Sequence, residues 1–294
     1  MSDSAPRPAP DLPVALVCAL DRPPWLVTAG PARPPRPLPS GSVVGTPSFP
    51  RVAPDRTLAY VTLTGQAGTR GWLTALAVAS PSGQLLDLVP GAAPFCPPAW
   101  SPDGASLLFA RDRPGASGGQ AVAYNLASGH EEVLFEHPRL RSLAWDADGG
   151  VVFSTVTGVA RRRSGATTEL FCHGVADGLQ RFGTDDLYVT IDQLTVAGDA
   201  AALVLRWNEQ GRAAREEVWR LRAGRLEQAV AGPASCPRWA PGGGLAVTVG
   251  SEVRLAGTPG SSVTLVAGLD GLHSFDWLPD DLAGVSGPGT RSMP

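Results

Sequence analysis

Pro98-Ala99-Trp100-Ser101-Pro102-Asp103-Gly104-Ala105-Ser106-Leu107-Leu108-Phe109-Ala110-Arg111 reads as a short strand, a tight turn and a second strand. Ser-Pro-Asp-Gly is turn chemistry: Pro presets φ, Asp can accept from the backbone ahead of it, and Gly tolerates φ > 0. Trp100 closes one apolar run, and Leu107, Leu108 and Phe109 open the next. A single hairpin decides little. Its recurrence at a period of tens of residues decides the architecture.

Aligned on Trp100, related hairpins begin at Val52, Trp145, Val196, Trp239 and Trp277. The spacings are 48, 45, 51, 43 and 38 residues. The turn acid recurs at Asp55, Asp103, Asp148, Asp199 and Asp280, and Gly242 replaces it in the fifth copy. Two further short strands follow several hairpins. They are Trp72 to Ala79 and Leu85 to Val89, Gln120 to Asn125 and Glu132 to Phe135, and Glu217 to Leu221 and Leu226 to Val230. Each run is short, rich in β-branched, Leu or aromatic residues, and bounded by Gly, Pro or Ser. Ala213 to Arg222 comes nearest to a helical period, but the phase of the repeat assigns it to a strand. Six units of four short strands predict an all-β chain, a single six-bladed β-propeller.

The Trp-Ser-Pro-Asp-Gly hairpin resembles the repeat of the TolB-like propellers, relatives of the WD-repeat proteins. The similarity runs over about residues 40 to 287 and is strongest in copies two and three. It implies six blades, in agreement with the count above. The sequence departs from TolB in showing no export signal and no separate N-terminal domain, so TolB's periplasmic role does not carry over.

The two ends complement one another. Val14 to Leu20 and Trp25 to Thr28 read as strands, and Pro31 to Pro39 as an edge segment, because Pro cannot donate to a ladder. No anchor hairpin precedes them, and no outer strands follow the sixth hairpin. The ring is therefore expected to close by N-terminal strands completing the last blade, which removes an open sheet edge. The expected organisation is a disordered Pro/Ala-rich tail over 1–10, the propeller over 11–287 and a short tail over 288–294. Gly158 to Gly183 reads as the least regular stretch.

Composition narrows function by exclusion. The 294 residues carry a net charge of −3 with 17% charged residues, which argues against a nucleic-acid-coating role. All 24 basic residues are Arg, so no lysine is available for Schiff-base or P-loop chemistry. Pro13 to Leu20 is too short to span a bilayer. Cys18, Cys96, Cys172 and Cys236 form no C-x-x-C pair. A cytoplasmic monomer with mostly buried, free thiols is expected.

No catalytic residue, metal or cofactor emerges. The turn carboxylates are explained by capping of their own backbone. The repeated Trp residues are expected to pack between blades. The histidines, His130, His137, His173 and His273, have no metal-ligand spacing, and Arg161-Arg162-Arg163 reads as a solvated turn or outer strand. Gly115-Ala116-Ser117-Gly118-Gly119 matches a nucleophile-elbow pattern but lacks the strand before and the helix after it. Pro241-Gly242-Gly243-Gly244 is a hairpin turn, not a phosphate loop.

Equal phase in a repeat means equal position around the axis. Four residues before each anchor stand Ser48, Cys96, Arg141, Asp192, Ser235 and His273, expected at the channel mouth as a binding rim. Arg141 and Asp192, in adjacent copies, are its formally charged members and could hold a zwitterionic peptide end. The function expected is a non-enzymatic binding scaffold for a protein or peptide partner, not for nucleic acid or membrane. The alternative is a propeller enzyme, such as a metal-dependent lactonase or hydrolase acting at the channel mouth.

Overall fold

A computed structural model describes residues 15–21, 26–30, 33–38, 45–66, 72–112, 119–156, 158–172, 187–209, 212–240, 243–257 and 262–278. Three strands come first: β1 (Ala15–Leu20), β2 (Leu26–Gly30) and β3 (Arg33–Pro37). Blade one is β4 (Thr46–Val52), β5 (Leu58–Gln66), β6 (Trp72–Ala79) and β7 (Leu85–Pro90). Blade two is β8 (Ala99–Trp100), β9 (Ser106–Asp112), β10 (Gly119–Asn125) and β11 (His130–His137). Blade three is β12 (Leu140–Trp145), β13 (Val151–Thr155), β14 (Gly158–Arg163) and β15 (Ala166–Cys172). Blade four is β16 (Leu187–Ala197), β17 (Ala200–Glu209), β18 (Arg212–Arg222) and β19 (Arg225–Gln228). Blade five is β20 (Ser235–Trp239), β21 (Leu245–Val249), β22 (Glu252–Ala256) and β23 (Ser262–Val266), and β24 (Leu272–Leu278) follows.

In blades one to five each four-stranded sheet is antiparallel and ordered as the chain runs. The first strands of successive blades touch around the ring: β4 meets β8, β8 meets β12, and so on to β24, which returns to β4. The molecule is thus a six-bladed β-propeller with these strands innermost. Ala213 to Arg222 lies within β18, so the phase of the repeat prevails over its helical period.

The last blade closes as expected in kind but not in stoichiometry. β24 pairs antiparallel with β1, with Leu16 opposite Trp277 and Val17 opposite Asp276. β2 and β3 then continue the sheet. Among the described residues the C-terminal part therefore contributes one strand, β24, and the N-terminal part three, so β1 and not a hairpin arm pairs with β24. The slot beside β24 is filled by β1; the residues expected to form the second arm of that hairpin, after Asp280, lie outside the described residues. Val17 and Cys18 are buried on opposite faces of β1, as a strand flanked by blades on both sides requires. The Pro-rich β3 is the outer edge, where missing N–H donors cost nothing.

Six apolar clusters fill the six clefts between neighbouring blades, and each contains one anchor residue. Trp100 packs between blades one and two, Trp145 between two and three, Val196 between three and four. Trp239 lies between blades four and five, Trp277 between five and six, and Val52 between six and one. The repeated aromatic is a wedge between blades.

The anchor turn is shared in detail by four copies, the fifth through Ala240, Gly243 and Gly244. In copy two, Gly104 N–H donates to Ser101 O (2.9 Å) and Ser101 N–H to Ser106 O (2.8 Å). Asp146 with Gly149 and Gly150, and Ala53 with Arg56 and Thr57, repeat the pattern. Copy four departs from it: β16 and β17 are joined by Gly198-Asp199 alone, which is why its sequence aligns loosely. Gly158 onward is more regular than expected, since β14 and β15 occupy it as far as Cys172. Gly115 to Gly118, Pro241-Gly242 and His173 lie outside the described residues.

Candidate functional site

The innermost strands β4, β12, β16 and β20 share a distortion before their anchors. Ladder register shifts occur between Ser48 and Arg51, Leu140 and Ser142, Asp192 and Leu194, and Ser235 and Arg238. Phe49, Gln193 and Cys236, three residues before their anchors, take φ of 55°, 46° and 48°. Such bulges re-aim side chains and release backbone donors from the ladder. Those donors are satisfied by the neighbouring blade. Leu194 N–H donates to Ser142 Oγ (2.9 Å), Cys236 N–H to Gln193 Oε1 (2.8 Å) and Phe49 N–H to Ser274 Oγ (3.0 Å). A buried polar belt thus ties blades three to four, four to five, and six to one.

The bulges also set what faces the axis. Ser48 is half-buried in β4, Cys96 is buried just ahead of β8, and Arg141 is exposed on β12. Asp192 is buried in β16, with its carboxylate 3.3 Å from Arg206 Nη1 and within reach of Thr190 Oγ1 (3.4 Å). Arg141 instead lends its charge to Asp112, whose carboxyl burial pushes up and Arg141 pulls down. The two charged rim residues thus each have a partner within the fold, and Asp192 is not the exposed group the sequence reading anticipated. Ser235 Oγ shares a hydrogen bond with Thr248 Oγ1 (2.8 Å). His273 Nδ1 lies 3.0 Å from Ser274 Oγ, and burial holds its imidazole below the ordinary histidine value, against the pull of Asp21. Burial pushes the thiols of Cys18 and Cys96 up to about 12, which keeps them protonated; no disulfide links any of the four cysteines.

A second ring, one residue before the anchors, consists of Arg51, Ala99, Ala144, Thr195, Arg238 and Asp276. All six line a single cavity of about 190 Å³ to which every blade contributes. Its walls are otherwise apolar or aromatic, including Pro97, Leu143, Trp100 and Trp145. Arg51 is 5% exposed. Its Nη1 donates to Pro50 O, and its Nε has no partner. Arg238 Nη1 donates to Thr195 Oγ1 (3.5 Å) and its Nε lies 3.4 Å from Asp276 Oδ1, misaligned for a hydrogen bond; its Nη2 is unpartnered. Asp276 Oδ2 accepts from Val52 N–H (2.8 Å), and Trp100 Nε1 donates to Arg51 O (3.1 Å). Burial raises the Asp276 carboxyl above the usual carboxylate range, and Arg51 opposes that rise. Two guanidinium groups and one carboxylate, largely withdrawn from water, leave an excess of positive charge and of N–H donors at the axis. This ring was missed from sequence. Applying the equal-phase test at the position before each anchor would have shown it, as two Arg and an Asp.

The remaining singled-out groups have structural roles. Asp55 Oδ1 accepts from Thr57 N–H (2.9 Å) and Asp103 Oδ1 from Ala105 N–H (3.0 Å), as turn carboxylates do. Asp148 pairs with Arg163 (3.1 Å) and Asp199 with Arg222 (3.8 Å). Arg161 pairs with the buried Asp146 (2.8 Å), and Arg162 lies over the Phe135 ring. The basic triplet is therefore a strand, β14, each of whose guanidinium groups is engaged. Among the described residues no group of three His, Cys, Asp or Glu could hold a metal ion, and no helix is long and apolar enough to cross a membrane.

Comparison with known proteins places the fold. No protein-family model matches the sequence, and no curated protein sequence does. Among solved structures, a protein from Bacteroides uniformis described as a candidate 6-phosphogluconolactonase aligns over 90% of this protein and 99% of its own length, with TM-score 0.55 and 11% identity. A component of the nidogen/laminin complex aligns over 89% and 97%, with TM-score 0.51 and 11% identity. The propeller domain of the trilobed protease of Pyrococcus furiosus aligns over 76% and 83% at TM-score 0.45 and 10% identity. The acylaminoacyl peptidase of Pyrococcus horikoshii is matched over 39% of its length. At such identities the likeness concerns fold alone.

Proposed function

We propose that this propeller is a non-catalytic binding scaffold that receives part of a protein or peptide partner in its axial cavity. The observation that carries the reading is the ring before the anchors. All six blades converge there on a space lined by Arg51, Arg238 and Asp276 among apolar and aromatic residues. Buried charge is costly unless paired, so the excess of guanidinium over carboxylate there calls for an occupant. The Trp-Ser-Pro-Asp-Gly hairpin supports a TolB-like affiliation, and the buried, protonated thiols of Cys18 and Cys96 suit a reducing, cytoplasmic setting.

An enzymatic role would ask for three or four ligating or acid–base groups converging at one point. The cavity supplies a single carboxylate, Asp276, so the scaffold reading is preferred. The test is affinity capture from cells that make the protein, comparing wild type with Ala99→Leu, which fills the cavity without altering charge. A partner retained by wild type and lost by the variant is expected. A partner retained equally by both would overturn the cavity as the site.

A further inference from the structure

We infer that the axial cavity recognises a carboxylate group of its partner, with Arg51 and Arg238 as the paired donors; this rests on the cavity being the binding site. Arg51 is more than nine-tenths buried and lines the cavity, its Nη1 held by Pro50 O. Arg238 lines the same cavity, its Nη1 on Thr195 Oγ1 (3.5 Å) and its Nε 3.4 Å from Asp276 Oδ1. A planar guanidinium presents its donors as a fork that matches the two oxygens of a carboxylate. Charge selects the same class. Arg51, Arg238 and Asp276 are the ionisable residues lining the cavity, with formal charges of +1, +1 and −1. A monoanion neutralises the remainder. A phosphate dianion would overshoot it and place more negative charge beside Asp276.

Size and access narrow the ligand further. A cavity of about 190 Å³ has room for roughly six waters, taking about 30 Å³ for each. That suits a carboxylate with a short apolar stem against Trp100, Trp145 and Leu143, not a folded domain. Arg238 and Asp276 keep 11% and 14% of their side-chain surface exposed, so the site is reached from solvent. Asp276 positions the cations in the meantime: it lies beside Arg238 and ties blade six to Val52 of blade one. Two sources present this chemistry on a partner, the terminal carboxylate of a polypeptide and an acidic side chain.

The experiment is calorimetric titration of the full-length protein with three N-acetylated tripeptides of Ala-Ala-Leu type. One ends in a free carboxylate, one in the amide, and one is an amide with Glu in place of Leu. Inorganic phosphate is titrated alongside. At least one carboxylate peptide should bind with a Kd tenfold or more below that of the Leu amide, and which one identifies the source. Arg238→Gln should raise that Kd at least tenfold with an unchanged melting temperature, and Arg238→Lys should restore part of the loss. Ala99→Leu should abolish binding, and it keeps the test available if Arg238→Gln does not fold. Equal binding of all three peptides, lost in Ala99→Leu, overturns the carboxylate inference and leaves the cavity reading standing. Binding indifferent to Ala99→Leu overturns both. Absence of binding by every peptide, or tighter binding of phosphate than of either carboxylate, also overturns the inference.

Discussion

Arg56 occupies, in the first anchor turn, the left-handed position that Gly104 and Gly149 fill in the next two, with φ of 71°, 72° and 79°. A side chain there is strained, so Gly104→Ala should cost about 1–2 kcal/mol; Pro54 Cδ, only 3.2 Å from the added Cβ, adds to that cost. Urea unfolding checks it. Gln193 carries a different burden. Its Oε1 is the acceptor for the buried Cys236 N–H, so Gln193→Leu should cost about 1–3 kcal/mol by leaving that donor unmet. The rim charges separate in the same way. Arg141 is exposed, and Arg141→Ala should change stability by less than about 0.5 kcal/mol. Asp192 is buried against Arg206, and Asp192→Ala should cost about 1–3 kcal/mol. Equal costs for the two variants would contradict the placement of these side chains.

At the scale of elements, the seam between β24 and β1 is where the ring depends on both parts of the sequence. Leu16, Val17, Cys18 and Ala19 are buried in it, and β1 gives β24 its ladder partner. Deleting residues 1–39 removes β1 to β3 and leaves β24 as an open inner edge. Such an edge pairs with other molecules. The truncated protein should aggregate or lose cooperative unfolding. A monomer by size-exclusion chromatography with an unaltered melting curve would show that the seam is dispensable.

The whole molecule's response to pH reflects groups held inside it. Burial lowers His273 below its ordinary 6.5, so between that value and the folded one the unfolded state binds more protons. Stability from this group is therefore complete above about pH 6.5 and lost as pH falls. Asp276 acts in the opposite sense, because its raised carboxyl keeps its proton longer in the folded state and its contribution falls as pH rises above 3.8. Comparing wild type with His273→Gln in urea at pH 7 and pH 5 isolates the histidine: the variant should lose less stability on acidification. The turn carboxylates Asp55, Asp103, Asp148 and Asp199, satisfied by their own backbone or by Arg, should bind no divalent ion tightly. Melting in chelator should match melting without it, and a clear fall would reinstate a metal-based role.

The sequence alone determined the architecture because a blade is a local object. Turn chemistry at Ser101-Pro102-Asp103-Gly104, the wedge at Trp100 and short alternating strands recur with a phase readable without coordinates. The closing of the ring was also legible, since complementary ends imply a shared blade; its division into one strand and three was not, because β1 and a second hairpin arm compete for the same slot. The site was decided by tertiary structure. Register shifts before the anchors turn Asp192 inward and aim Arg51, Arg238 and Asp276 at a common cavity. Those three residues lie up to 225 positions apart in the sequence, and only closure of the ring brings them together. Which phase faces the axis depends on a one-residue bulge, and a bulge leaves no mark in hydrophobic pattern, because every inner strand is buried on both faces.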